Sequence, residues 1–107
     1  MKIAVSATGG SSNALVEPRF GRAPYYVIVD SDTMRFGVVG NSNAYQASGA
    51  GPATAALIAN SGATVVLTGS VGPKAKQALD AAGIEIVEET SGTVKEAVQV
   101  FLRTRGK

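Results

Sequence analysis

Short apolar runs alternate with glycine-punctuated polar stretches along this chain, and the period of the apolar positions changes from run to run. In residues 2–6, Ile3 and Val5 alternate with smaller residues, and 25–29 is β-branched and aromatic, the pattern and the composition of strands. Asp30-Ser31-Asp32-Thr33 is a turn sequence, so Asp30 and Asp32 read as turn formers rather than catalytic carboxylates, and 35–39 returns as the second arm of a hairpin. Residues 63–67 and 84–87 supply two further apolar strands. Helical spacing appears three times. Pro52 suits a first turn and Ser61-Gly62 a stop, so 52–60 is predicted helical; its alanines with Leu57 and Ile58 are apolar nearly all round, which reads as a core face. In 74–82, Ala75, Ala78, Leu79 and Ala82 fall at i, i+3, i+4 and i+7 while Lys76, Gln77 and Asp80 face water, and Gly83 caps the end. Thr93 and Glu96 form a capping box ahead of a stripe of Val94, Ala97, Val98 and Phe101.

The order is therefore strand, hairpin, helix, strand, helix, strand, helix, an α/β arrangement. If only the second strand runs against the others, the five strands make a mixed sheet and the helix N-termini gather beyond the carboxyl ends of the parallel strands. Four polar loops are then expected at that end. They are Thr8-Gly9-Gly10-Ser11-Ser12, Ser48-Gly49-Ala50-Gly51-Pro52, Gly69-Ser70-Val71-Gly72-Pro73-Lys74 and Thr90-Ser91-Gly92-Thr93. The third follows a buried strand and opens a helix, where unpaired amides and aligned peptide dipoles attract anions. Residues 7–24 form a long connection without a clear period, read as functional or mobile. Within it Arg19-Phe20-Gly21-Arg22 sets two guanidinium groups around an aromatic and a glycine. The plainer reading of that segment is a solvated turn with Phe20 plugging the core.

Composition narrows the chemistry. The chain has 107 residues, 45% of them hydrophobic and 17% charged, consistent with a single domain spanning 1–107 with disorder expected only in the tail 103–107. Lysine and arginine exceed the acidic residues by 10 to 8, too small an excess to argue for nucleic-acid or membrane binding. No apolar run approaches the ~20 residues that span a bilayer, and a cytoplasmic protein is expected. There is no cysteine and no histidine. Disulfides, thiolate or imidazole metal ligation and histidine-dependent nucleophilic catalysis are thereby excluded for the lone chain. Gly49-Ala50-Gly51 lacks the third glycine of a dinucleotide fingerprint, and Gly69 to Lys74 has neither the spacing nor the hydroxyl residue of a phosphate-binding Walker loop. Each glycine turn alone is a tight connection; their convergence with Arg19 and Arg22 is what suggests an anion site.

Taken in order, Pro18-Arg19-Phe20-Gly21-Arg22-Ala23-Pro24-Tyr25, Asn41 to Asn43 with Gly49-Ala50-Gly51, Gly69-Ser70-Val71-Gly72-Pro73 with Ala75, Ala78-Leu79 and Ala82-Gly83-Ile84, and Ser91-Gly92-Thr93-Val94 with Glu96-Ala97 resemble the dinitrogenase iron–molybdenum cofactor biosynthesis family nearly end to end. That family includes carriers of the iron–molybdenum cofactor or its precursor, stand-alone archaeal and bacterial members, and the orange protein, which holds a molybdenum–copper sulfide cluster without covalent attachment. The resemblance implies a ribonuclease H-like three-layer sandwich, with a mixed five-stranded sheet, one antiparallel strand and about three helices. Many members carry a histidine just before Phe-Gly-Arg, where this chain has Arg19. The implied function is non-enzymatic binding or carriage of an anionic metal–sulfur cluster, molybdenum with iron or copper, passed to an acceptor protein. The candidate cofactor-binding residues are Thr8, Gly9, Arg19, Phe20, Gly21, Arg22, Gly49, Gly51, Gly69, Ser70, Gly72, Lys74, Gly92 and Thr93. A nucleotide or phosphometabolite binder using the same amides, and a ligand-free interaction domain, are the alternatives.

Overall fold

The computed structural model describes residues 1–105. Five strands, β1 (Lys2–Ala7), β2 (Tyr25–Asp30), β3 (Phe36–Gly40), β4 (Val65–Leu67) and β5 (Glu85–Val87), alternate with three helices, α1 (Ala50–Asn60), α2 (Pro73–Ala81) and α3 (Val94–Arg105). Two single 3₁₀ turns, Phe20–Arg22 and Ser42–Tyr45, interrupt the connections. The sheet order is β3-β2-β1-β4-β5. β2 is antiparallel to both neighbours, while β1, β4 and β5 pair in parallel, so β2 alone is reversed, as the element order predicts.

Alternation along the strands sends side chains to two cores. Ala4, Tyr26 and Val66 face α1 and α2 through Phe20, Ala55, Ile58, Ala75 and Leu79. Ile3, Val5, Val27 and Leu67 face α3 through Val94, Ala97, Val98 and Phe101, with Val16 from the long connection. These are the three layers of the expected sandwich. Burial of each large aliphatic side chain contributes about 1.5–3 kcal/mol. Among the described residues, no helix is long and apolar enough to cross a membrane.

Three details depart from the sequence reading. α1 starts at Ala50, two residues before Pro52, because Gly49 takes the left-handed conformation (φ 76°) at the N-cap, so Pro52 occupies the third helical position, where a missing N–H costs nothing. Residues 7–24 are not a free loop: isolated bridges join Ala7 to Val16, Leu15 to Thr93 and Arg19 to Ser70. The buried Ser6 hydroxyl bonds the Glu17 carbonyl (2.7 Å) and the Thr68 hydroxyl (2.8 Å), tying this segment to the ends of β1 and β4. The tail expected to be disordered is helical through Arg105, where Arg105 pairs with Glu85 and lies over the Phe101 ring at 4.8 Å; Gly106 and Lys107 lie outside the described residues. Asp30 does act as a turn former, its carboxylate accepting the Asp32 amide at 2.9 Å.

Candidate functional site: an amide-lined crevice between two helix starts

At the carboxyl end of the parallel strands, a crevice of about 470 Å³ opens between the first turns of α1 and α2. It is lined by Arg19 to Arg22, by Gly49, Ala50, Gly51 and Pro52, and by Ser70, Gly72, Pro73, Lys74 and Ala75. Close backbone approach brings these pieces together. A Cβ on Gly51 would stand 2.9 Å from Ala75 Cβ, and one on Gly21 would stand 3.0 Å from the Gly51 backbone, so the turn Phe20–Arg22, α1 and α2 stack through residues without side chains. Phe20 lies beneath as a core plug, 2% exposed and edge-on to Tyr26 with ring centroids 5.5 Å apart, as the plainer reading held. The Tyr26 hydroxyl donates to the Phe20 carbonyl; burial, with Glu17 nearby, pushes its pKa far above the ordinary phenol value.

The three helix starts differ in how their amides are used. α3 is closed: Val94 and Lys95 donate to the carbonyls of Ala14 and Ser12, Glu96 donates to the Thr93 hydroxyl, and Ala97 donates to the Thr93 carbonyl. Its capping box is complete, with Glu96 accepting the Thr93 amide at 3.0 Å. That bond, followed by the one from the Thr93 hydroxyl, holds the Glu96 carboxyl below the usual carboxylate range. α1 and α2 begin instead at Gly49 and Gly72, which cannot cap through a side chain. Among the described residues, the amides of Ala50, Gly51, Lys74 and Ala75 have no acceptor. Four unpaired donors at two positive helix ends therefore border one crevice.

Cations add to this field. Lys74 is exposed and, among the described residues, has neither an ion pair nor a hydrogen bond. The Arg19 side chain is 72% exposed, and its ion pair among the described residues is a long one, 3.8 Å to the largely buried Glu17. Arg22 is engaged differently. Its Nη1 donates to the carbonyls of Ala44 (3.1 Å) and Gln46 (2.6 Å), bracing the connection between β3 and α1. That connection is also held by the buried Asn41, whose side chain donates to the Ala23 carbonyl (2.9 Å) and bonds Thr54 (3.1 Å).

Of the fourteen residues named from the sequence, the crevice collects Arg19, Phe20, Gly21, Arg22, Gly49, Gly51, Ser70, Gly72 and Lys74. Gly69 lies behind it, where its bare Cα lets the chain cross Pro18 and lets Ser70 donate to the Pro18 carbonyl at 2.7 Å. Thr8, Gly9, Gly92 and Thr93 do not reach the crevice. They belong to the α3 side of the sheet, where Thr8 donates to Leu15, Leu15 bridges Thr93, and Val16 donates to Gly92. The expected meeting of four loops is thus a meeting of two, because the sheet separates the start of α3 from those of α1 and α2. Sequence reasoning did not single out the amides of Ala50 and Ala75, although an uncapped glycine start was their signal. It also missed Glu88 as a support: its carboxylate accepts the Val71 amide at 3.0 Å and Lys76 Nζ at 3.1 Å, contacts that lower its pKa in that order and fix the turn before α2. A second concavity of about 310 Å³ beside α3 is lined by Glu88, Glu89 and Glu96, the wrong sign for an anion.

Fold and crevice together define an α/β domain with an amide-lined crevice at the carboxyl edge of its sheet. The chain belongs to the dinitrogenase iron-molybdenum cofactor family, whose model matches residues 1–104. It is similar to the apo form of the orange protein from Desulfovibrio gigas (TM-score 0.94, 48% identity, covering 97% of this chain and 88% of that one). It is also similar to a Thermotoga protein of the DUF35 family solved by NMR (TM-score 0.85, 31% identity, 97% and 89% covered). An uncharacterised protein of Methanocaldococcus jannaschii is 28% identical over 105 residues, 95% of this chain and 86% of that protein.

Proposed function

We propose that this chain is a non-enzymatic binder or carrier of an anionic molybdenum–sulfur cluster, with iron or copper as the second metal, held non-covalently in the crevice between α1 and α2. The observation that carries the reading is the set of four acceptor-free amides, at Ala50, Gly51, Lys74 and Ala75, beside Arg19 and Lys74. Membership of an iron-molybdenum cofactor family supports a molybdenum-containing cargo. The donor chemistry fits a preassembled cluster: without cysteine or histidine, and with no group of three carboxylates placed to hold a metal ion among the described residues, the sulfides of the cargo must complete the coordination of its own metals. The protein's part is to neutralise charge and donate hydrogen bonds to sulfur. A cargo held this way can leave intact for an acceptor protein, since no protein–metal bond has to break.

The test is anaerobic incubation of the apo protein with tetrathiomolybdate and copper(I), followed by gel filtration. Visible charge-transfer absorption co-eluting with stoichiometric molybdenum is expected, and it should fall in Arg19→Ala/Lys74→Ala. Absence of co-elution, with thermal stabilisation by nucleotides or phosphometabolites instead, would assign the same amides to a phosphate ligand.

A further inference from the structure

We propose that Arg22 is the positioning residue that couples anion occupancy of the crevice to the order of the chain segment 42–48. This rests on the crevice being the anion site proposed above. Arg22 is the half-buried member of the crevice wall that touches that segment, and it does so with one nitrogen: Nη1 serves both Ala44 and Gln46. A guanidinium carries five N–H groups in a rigid plane. Two are spent on the carbonyls, and the Nη2 and Nε donors have no acceptor among the described residues. One flat cation therefore joins the loop to the crevice, with donors left over for a ligand.

Apart from the buried Ala44, the segment it braces has few other ties. Its 3₁₀ turn is held by the amides of Ala44 and Gln46, which donate to Asn41 and Asn43, and by the Gln46 side chain, which donates to Asn43 at 2.8 Å. Tyr45 at its tip is 82% exposed. An anion that meets the free edge of Arg22 restrains the same plane that holds Ala44 and Gln46, so binding orders the segment. Linkage makes the effect reciprocal: whatever loosens the segment must weaken anion binding. Arg22 also gains a role different from that of Arg19 and Lys74, since charge alone cannot replace it. A lysine restores the positive charge but offers a single ammonium, which cannot hold two carbonyls and a ligand in one plane.

The experiment is amide hydrogen exchange on the full chain with and without tetrathiomolybdate as the probe. Wild type should show slower exchange at Ala50, Gly51, Lys74 and Ala75, the mark of binding, together with several-fold slower exchange at Ala44 and Gln46. Arg22→Lys, saturated with the probe, should keep the first effect and lose the second. Asn43→Gly removes the side-chain tie of Gln46 without touching the crevice, and it should speed exchange at Ala44 and Gln46 and raise the probe's dissociation constant several-fold. Protection of the helix starts with unchanged exchange at 44 and 46, coupling that survives in Arg22→Lys, or unaltered affinity in Asn43→Gly would overturn the inference while leaving the site standing. No protection at the helix starts would remove both.

Discussion

Gly69→Ala probes the crossing on which the crevice geometry rests. A Cβ at Gly69 would fall 2.6 Å from Pro18 Cα and 2.9 Å from its carbonyl carbon, and closer still to its carbonyl oxygen. Every one of these atoms is backbone, so no rotamer change relieves the overlap. The two chain segments must separate by about 0.5–1 Å, a shift that costs on the order of 1–3 kcal/mol as overpacking. The same shift lengthens the bonds from Ser70 N to the Pro18 carbonyl (2.7 Å) and from Phe20 N to the Ser70 carbonyl (3.1 Å). Each contributes roughly 1 kcal/mol. A combined loss of about 2–4 kcal/mol is expected, a large share of the ~5–15 kcal/mol that holds a small domain together. In thermal terms that is roughly 10–25 °C. Gly72→Ala is the control: nothing lies within 4 Å of its Cβ position and its φ is −68°, so its stability should stay within ~0.5 kcal/mol of wild type. Urea unfolding followed by circular dichroism measures both. A shifted midpoint with unchanged slope is expected for Gly69→Ala. A loss no greater than that of Gly72→Ala would refute the reasoning.

The buried Asn41 and Thr54 give a second stability test: Asn41→Ala strands the Ala23 carbonyl and the Thr54 hydroxyl and should cost about 2–4 kcal/mol, part of it recovered in Asn41→Ala/Thr54→Val, as denaturant midpoints will show. In acid, Glu88 and Glu96 both titrate below their ordinary value in the folded chain, so the stability they confer is present above about pH 4.5 and is lost as pH falls through their folded pKa values. Urea midpoints measured from pH 6 to 3 should therefore fall less steeply in Glu88→Gln/Glu96→Gln than in wild type, and equal slopes would contradict both contacts.

Much of this fold is written locally. The hairpin follows from Asp30 and Asp32 between two β-branched runs, the capping box at Thr93 and Glu96 opens α3 where it should, and Gly62 and Gly83 end α1 and α2 with positive φ. The glycine turns before α1 and α2 are equally visible, and so is their pairing with the Arg19–Arg22 segment. What local sequence does not carry is which face of the sheet each loop serves. Gly92 and Gly72 look alike as glycines ahead of a helix; one precedes a self-capped start behind the sheet and the other an open one at the crevice. Nor does the sequence show what Arg22 holds, because its acceptors are main-chain carbonyls more than twenty residues away, and a carbonyl has no residue type to read.

In the proposed function, the open starts of α1 and α2 hold an anionic metal–sulfur cargo. Backbone amide chemical shifts of ¹⁵N-labelled protein, titrated anaerobically with tetrathiomolybdate and copper(I), test it residue by residue. The largest changes are expected at Ala50, Gly51, Lys74 and Ala75, with Thr8, Gly9, Gly92 and Thr93 nearly still. Large changes at the start of α3 or in the acidic cleft along Glu88 and Glu89, with α1 and α2 unmoved, would contradict it.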